Sequence, residues 1–450
     1  MPDVTGPATS SPQRPLRTLL PLLIAAAWLA AQIALLTVHE PWRDEGQAWL
    51  KAIGLSTPLD FFIVPGEGHP PLWFWLLRLL SLFLDFDQAR ALMIAVAALN
   101  AWLLARLLGD RPLLLVALLL SLPVLHSWGY YFRPYSLILA SVAGALLLDR
   151  ARRTRAATWV LALACGLHIL SGWLFAFWLL VLLHRRVPLR MLVAPSLLAL
   201  AFGGLAVLSG LGNHDGGRVV ASIPSAMLHG LYLPFRMPVL SAAPTVAIAA
   251  ALIGLGLRRS PLLLAGLGGL LLLLAAFHVY VYGLSEWHAA FGLLLVLMAF
   301  VVTRAPAWPL LLLLLPQDLL GLHKARVEAT LPTAGDTIAY AAIAADAGSG
   351  LDPARSLVVW PDYLLTATAA AGEFSYLSGN NGALVGAIDW RARRHRDIDA
   401  ALLATLPTPY WLVCTACRPI LAAIPAGRTA TRIMPPPATL TEQIAAYRID

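Results

Sequence analysis

The sequence predicts a polytopic α-helical membrane protein that ends in a small α/β domain outside the membrane. Hydrophobic residues make up 59% of the chain and charged residues 12%, whereas a soluble domain carries about a quarter charged residues. Mean hydropathy is +0.74. Apolar segments of about 20 residues, the length that crosses a bilayer, recur as far as Leu322 and amount to about ten to twelve membrane segments. Beyond Leu322 the composition becomes ordinary and leaves roughly 125 residues, one terminal domain, at 323–450.

Residues 1–17 are polar and Pro-rich, with Arg14 and Arg17 at the edge of the first apolar run, and read as a disordered cytoplasmic tail. The run at about 18–38 is too long for a signal peptide and lacks a small-residue cleavage site, so it is read as a retained helix. It delivers the loop 39–71 to the outer face. In that loop DEGQAWLKAIGL places Ala48, Leu50, Ile53 and Leu55 at helical spacing, which predicts an amphipathic helix lying in the interface plane.

The next stretch, PPLWFWLLRLLSLFL, is short for a span and contains Arg78. Basic groups settle how it is read. Arg106 and Arg111, residues 150–155, residues 184–190, and Arg258 with Arg259 interrupt the later apolar runs, and cytoplasmic loops carry the excess of Lys and Arg. Residues 71–84 then begin and end on the outer side, as a membrane-dipping or interfacial segment. Spans follow at about 88–106, 112–126, 134–149, 191–210, 239–257, 261–281, 287–303 and 308–322. Residues 156–183, basic at both ends, form a helical hairpin turning near 168–172. The outer face, periplasmic in a bacterial inner membrane, receives 39–71, 126–133, the hairpin turn, 213–238, 282–288 and the tail.

In the tail, helices at 334–347, 362–371 and 396–405 alternate with strands at 356–360, 374–378 and 410–415, an α/β layer arrangement. It holds no Gly-rich phosphate loop and no metal-ligand spacing, so it is expected to cap a site or bind an acceptor. The net charge of +8 sits in short clusters between apolar runs and does not suggest nucleic acid. Three cysteines make no disulfide framework. Cys165 lies in an apolar run, and Cys414 and Cys417 form a CxxC in the strand-like YWLVCTAC. A disulfide or plain packing suits that pair better than a redox role, because no strand-to-helix redox context surrounds it.

Ionisable groups near hydrocarbon are costly and tend to remain there for a task. Arg43-Asp44-Glu45, directly after the first helix, offers a general base with an acidic neighbour; the bland alternative is helix capping, since acids favour a helix N-terminus. Glu67 and His69 precede Pro70-Pro71 and could bind a divalent cation or a phosphate. Trp128 to Tyr135 surrounds Arg133 with aromatic rings, which suits a phosphate, because guanidinium binds it bidentately and stacks on rings. A snorkelling arginine in an aromatic belt is the plain reading. Glu286 and His288 open the span at 287–303, and His168 sits at the hairpin turn. A lone histidine there is usually an ordinary interfacial residue, and His278 still more so; several together with carboxylates raise the case for a metal site, with Glu67 and His288 as candidate ligands.

Taken together, RDEGQAWL, EGHPPLWFW, YYFRPYS and EWHAAF resemble the multi-spanning GT-C glycosyltransferases. That superfamily includes the protein O-mannosyltransferases and the aminoarabinose transferase acting on lipid A. The likeness covers about the first 300 residues, and the order of these short motifs carries it. It implies a GT-C-like fold and a sugar on a polyprenyl phosphate, transferred with inversion to a lipid, glycan or protein hydroxyl at the outer face. Asp44 matches the first-loop aspartate proposed as base. Arg43, His69, Trp128, Arg133 and Tyr135 fall to phosphate and substrate binding. His69 departs from the lysine of relatives, since a histidine need not be charged. His288 lies near a position that can bind a metal, so a divalent metal is left open; no nucleotide cofactor is implied.

Two other classes compete. A transporter or flippase needs ionisable residues mid-span and broken helices in symmetric pairs, whereas here the ionisable residues cluster at span ends. A non-catalytic scaffold would use the outer domain alone and keep the first loop as structure.

Overall fold

The computed structural model describes residues 13–211, 222–281, 285–331, 335–388, 397–434 and 443–450. The first twelve residues of the expected tail, 213–221 of the expected outer loop, and 282–284 lie outside the described residues. Among the described residues four helices are long and apolar enough to cross a membrane: Leu19–Val38, Phe86–Leu108, Val193–Gly210 and Pro261–Tyr280.

Helix α1 (Gln13–Val38) leads into α2 (Arg43–Ile53), the helix expected inside the first loop. It does not lie on a surface: Glu45 through Ala52 are buried. Gly46 explains why, because a Cβ there would come within 2.4 Å of the Ala367 backbone, so the C-terminal domain rests directly on this turn. The short stretch that follows is α3 (Leu72–Leu80), nine residues and so about 14 Å long, too short to span.

α4 (Phe86–Ala91) starts on a capping box from Asp85 and continues as α5 (Met93–Leu108). α6 (Pro112–Leu120) passes into a π-helical turn, Pro123–Ser127. α7 (Tyr135–Arg150), α8 (Thr154–Ala164) and α9 (Ser171–His184) follow, with the hairpin turn at 165–170 where it was expected. α10 is Val193–Gly210.

α11 (Ile223–Tyr232) occupies part of what the sequence assigned to a loop. It forms because a face with Gly230 packs closely on α13, where a Cβ would stand 3.0 Å from Ala275 Cα. α12 (Ala242–Leu257), α13 (Pro261–Tyr280), α14 (Glu286–Val302) and α15 (Ala307–Glu328) complete the apolar part. α15 runs six residues past the expected end at Leu322, through Lys324 and Arg326 to Glu328.

Three helices end in the same unusual way on an arginine. Arg152, Arg186 and Arg304 have φ of 60°, 56° and 52°. After each, the next residue's N–H reaches the carbonyl five residues back: Arg153 to Leu148, Val187 to Leu182 and Ala305 to Phe300. That is the Schellman cap, whose left-handed position is usually glycine. An arginine there costs of order 1 kcal/mol.

The C-terminal domain carries a six-stranded sheet in the order β3-β2-β1-β4-β6-β5. After α16 (Asp336–Ala347) and α17 (Pro353–Ser356) come β1 (Leu357–Trp360), α18 (Thr366–Gly372), β2 (Tyr376–Ser378) and β3 (Leu384–Val385). α19 (Ala400–Thr405), β4 (Tyr410–Thr415), α20 (Arg418–Ala422), β5 (Ala430–Met434) and β6 (Ile444–Ile449) follow. The three expected strands, β1, β2 and β4, are its parallel centre; β3 adds an antiparallel strand on one side, and β6 then β5 add two on the other. Cys414 and Cys417 are joined by a disulfide, and Cys165 is a buried free thiol.

Candidate functional site

The end of α1, the start of α2, the residues before α3, the start of α7, the α8–α9 turn and the start of α14 meet at one end of the bundle. Glu45 is the hub of their packing. As the third residue of α2, its Oε2 reaches back to accept the Trp42 N–H at 2.6 Å, half of a capping arrangement. The same oxygen lies 2.9 Å from His39 Nε2, and Oε1 accepts the Phe132 N–H. One carboxylate therefore fixes the start of α2, the end of α1 and the loop before α7.

His39 Nδ1 meets Glu328 Oε1 at the end of α15. Glu328 Oε2 in turn meets His126 Nε2 from the π-helical turn and, at 3.4 Å, the Tyr131 hydroxyl. Burial alone would lower His39, but the Glu45 and Glu328 carboxylates outweigh it and raise the imidazole from its ordinary 6.5 to about 9. Burial would raise Glu45 and Glu328, but the partner imidazoles hold both below the usual carboxylate range. A cavity of about 360 Å³ reaches His39 and Glu328 from outside.

The expected acidic pair thus divides. Glu45 is fully buried with both oxygens engaged. Asp44 keeps 30% of its side chain exposed and lies between two guanidinium groups. Its Oδ1 is 3.7 Å from Arg43 Nε and its Oδ2 is 3.8 Å from Arg133 Nη2. Arg133 Nη1 also donates to the Asp44 carbonyl at 2.9 Å, tying the start of α7 to the start of α2. Arg43 stacks over the Tyr363 ring of the C-terminal domain at 4.6 Å.

Beyond Arg133 the polar groups become histidines. Arg133 sits 5.8 Å from the centroid of the Tyr135 ring. The Tyr135 hydroxyl is 3.1 Å from His288 Nε2, and His288 Nδ1 is 2.8 Å from Ser285 Oγ. His168 lies between, with its ring 5.4 Å from His288 and 4.9 Å from His69. His69 Nδ1 is 3.6 Å from Glu67 Oε2. Burial would raise Glu67, but His69 and Lys51 hold it below its ordinary value. Trp128 stacks on Tyr135 at 5.5 Å and donates its indole N–H to the Trp287 carbonyl. Gly129 permits this packing, since a Cβ would overlap the Gln32 side chain of α1.

His168 has a distinct polarity. Its Nδ1 accepts the Leu170 N–H at 3.1 Å, so the proton of the neutral ring belongs on Nε2. That buried Nε2 has no hydrogen-bond partner among the described residues. The turn therefore buries an unused donor in a ring that packs against those of His69 and His288.

Every candidate from the sequence lies in this one assembly: Arg43, Asp44, Glu45, Glu67, His69, Trp128, Arg133, Tyr135 and His288. The sequence did not single out His126, Tyr131, Glu328, Gln47 or Tyr363. Gln47 holds the C-terminal domain in place, donating to the Ile388 carbonyl at 2.8 Å and accepting its N–H at 2.9 Å. Glu40 acts likewise, accepting the Gly335 and Thr337 N–H groups at the start of α16. Among the described residues no group of three or more His, Cys, Asp or Glu side chains is arranged to hold a metal ion. Glu67 is taken up by Gln47 and His69, and His288 by Tyr135 and Ser285.

No protein-family model, no curated protein and no solved structure matches this chain.

Proposed function

We propose that this chain is an inverting, GT-C-like glycosyltransferase. It moves a sugar from a polyprenyl-phosphate donor to an acceptor hydroxyl at the outer face of a bacterial inner membrane. The observation that carries this reading is the partly exposed Asp44 carboxylate 3.8 Å from Arg133, next to the Tyr135 and His168 edge of a histidine row. A base stands beside a set of phosphate-binding groups, as transfer from a phosphate leaving group requires.

Asp44 takes the proton of the acceptor hydroxyl as its oxygen forms the new bond to the anomeric carbon. The bond from that carbon to the phosphate oxygen breaks, and polyprenyl phosphate leaves with the electron pair. Arg133, His69 and the unused Nε2–H of His168 meet the charge growing on the phosphate. Glu45 touches no substrate; it positions Asp44 and the loop before α7. The four apolar helices suit a lipid-borne donor, and the C-terminal domain, resting on α2, borders the acceptor side. No step is routed through a metal.

One residue favours the transporter alternative. Asp318 is buried within α15, two residues after Pro316, and its Oδ1 has no partner among the described residues. A buried acid without a partner in an apolar helix is a feature of ion pathways.

The test is sugar release from a panel of polyprenyl-phosphate sugars by the purified protein, with simple alcohols and lipid hydroxyls as acceptors. Release from at least one donor supports the transferase. Failure of every donor to be turned over or to bind ends this reading, and Asp318→Asn in a vesicle uptake assay then becomes the discriminating variant.

A further inference from the structure

At the opposite end of the bundle lies a cavity of about 690 Å³, a size usual for ligand pockets, roughly 300–1,000 Å³. The α14 helix separates it from the candidate site: His288 stands at the start and Arg304 two residues past the end, about 25 Å away. Its lining is basic. Arg111, Arg150, Arg152, Arg185 and Arg304 face it with Asp110 and Asp149, a formal excess of three positive charges.

The acids are already occupied. Asp149 accepts from Thr154 Oγ1 at 2.9 Å and pairs with Arg185 at 2.8 Å, and Asp110 lies 3.8 Å from Arg111. Arg111 also donates to the Ala305 carbonyl, and Arg150 to that of Leu107. Arg152 and Arg304 make no ion pair or side-chain hydrogen bond among the described residues. These are two of the three arginines held in left-handed backbone at Schellman caps. Glycine would end both helices without strain.

Arginines that only favour one side of a membrane have no reason to converge on a hollow. We infer that this cavity is a binding site for a phosphate group, on a lipid headgroup or on a soluble phosphate ester. Guanidinium groups from the ends of four helical segments can surround its oxygens with bidentate hydrogen bonds. Basic pockets between apolar helices are suited to anionic headgroups. Leu146, Val301 and Val302 supply an apolar wall.

The left-handed backbone provides the test. Arg152→Gly/Arg304→Gly removes two charges while relieving both strained positions, so the fold is kept. Thermal unfolding of the full chain is followed with sodium pyrophosphate in detergent, and in phosphatidylcholine vesicles with and without phosphatidylglycerol. The expected result is a rise in Tm with at least one anion, and apparent affinity weakened roughly tenfold or more in the glycine variant. Arg258→Ala/Arg259→Ala, which removes two charges outside the cavity, should keep the response. A rise with pyrophosphate identifies a soluble phosphate ester as sufficient; a rise only with phosphatidylglycerol identifies the lipid. The proposal is overturned if neither anion raises the Tm, if the glycine variant responds like the native chain, or if the Arg258/Arg259 variant loses the response equally.

Discussion

Glu328 and His39 hydrogen-bond across 289 residues of sequence. The contact joins the end of α15 to the residue after α1, so the first and last helices of the apolar part close on each other beside Asp44. Around it, Glu45, His126 and Tyr131 make one buried network.

Removing one charge from that network should cost stability. Glu45→Gln leaves His39 with one carboxylate instead of two and weakens the anchor of Phe132. Breaking a buried pair from one side costs about 3–5 kcal/mol, so a Tm drop of many degrees is expected. A variant with native Tm would show that the network does not hold the start of α2.

The network also sets a pH window. His39 is raised on folding from 6.5 to about 9, so its contribution is fully present below 6.5 and is lost as pH rises through 9. Glu45 and Glu328 are lowered from 4.5, so their contribution is present above 4.5 and is lost as pH falls. Thermal stability should be highest between these limits and fall on both sides. His39→Gln should flatten the alkaline decline, which Tm measured against pH will read directly.

Asp44 is partly exposed, and its replacement should not disturb the fold. Asp44→Asn is expected to reduce sugar transfer by about 10²–10⁴-fold, the usual worth of a general base, with an unchanged Tm. Equal rates in native and variant would remove Asp44 from the reaction.

His168 supplies an unused buried donor. His168→Ala removes this orphan donor but strips the acceptor from the buried Leu170 N–H and leaves a cavity, so the unliganded Tm should fall. Donor binding should weaken, seen as a higher KM. A lower Tm with unaltered KM would make His168 a packing residue.

Gly46→Ala tests the seating of the C-terminal domain. The new methyl would enter the 2.4 Å gap to the Ala367 and Thr366 backbone, an overpacking cost of about 1–3 kcal/mol. Limited proteolysis should cut the variant between the apolar part and the tail sooner than the native chain.

Much of the site was legible because charge at the end of an apolar run stands out. Asp44, Glu67, His69, Arg133 and His288 were marked in this way, and the helical hairpin followed from basic groups at both its ends. Glu328 was missed because it lies in a polar turn beyond Leu322, and nothing local says that α15 continues there. His126 was missed because a single polar residue closing an apolar run carries no distinguishing pattern; only the fold brings it to Glu328. Gln47 is a neutral residue on a helix expected to face lipid, so its bonds to Ile388 depend on a tertiary contact. β5 and β6 escaped notice because ATRIM is mostly exposed and IAAYRI shows no alternation that would mark a strand. Helix α11 depended on Gly230 meeting Ala275, which is a contact and not a period.

The Glu40 carboxylate that receives the Gly335 and Thr337 N–H groups means that α16 borrows its N-terminal cap from the other side of the composition boundary. Hydropathy divides the chain at Leu322, but the hydrogen bonds do not. A tail excised at that point would leave α16 uncapped and lose the Gln47 clasp on Ile388. The unit that can be moved intact between proteins therefore includes the first loop, and grafting the tail alone would transfer its strands without the support that orients them.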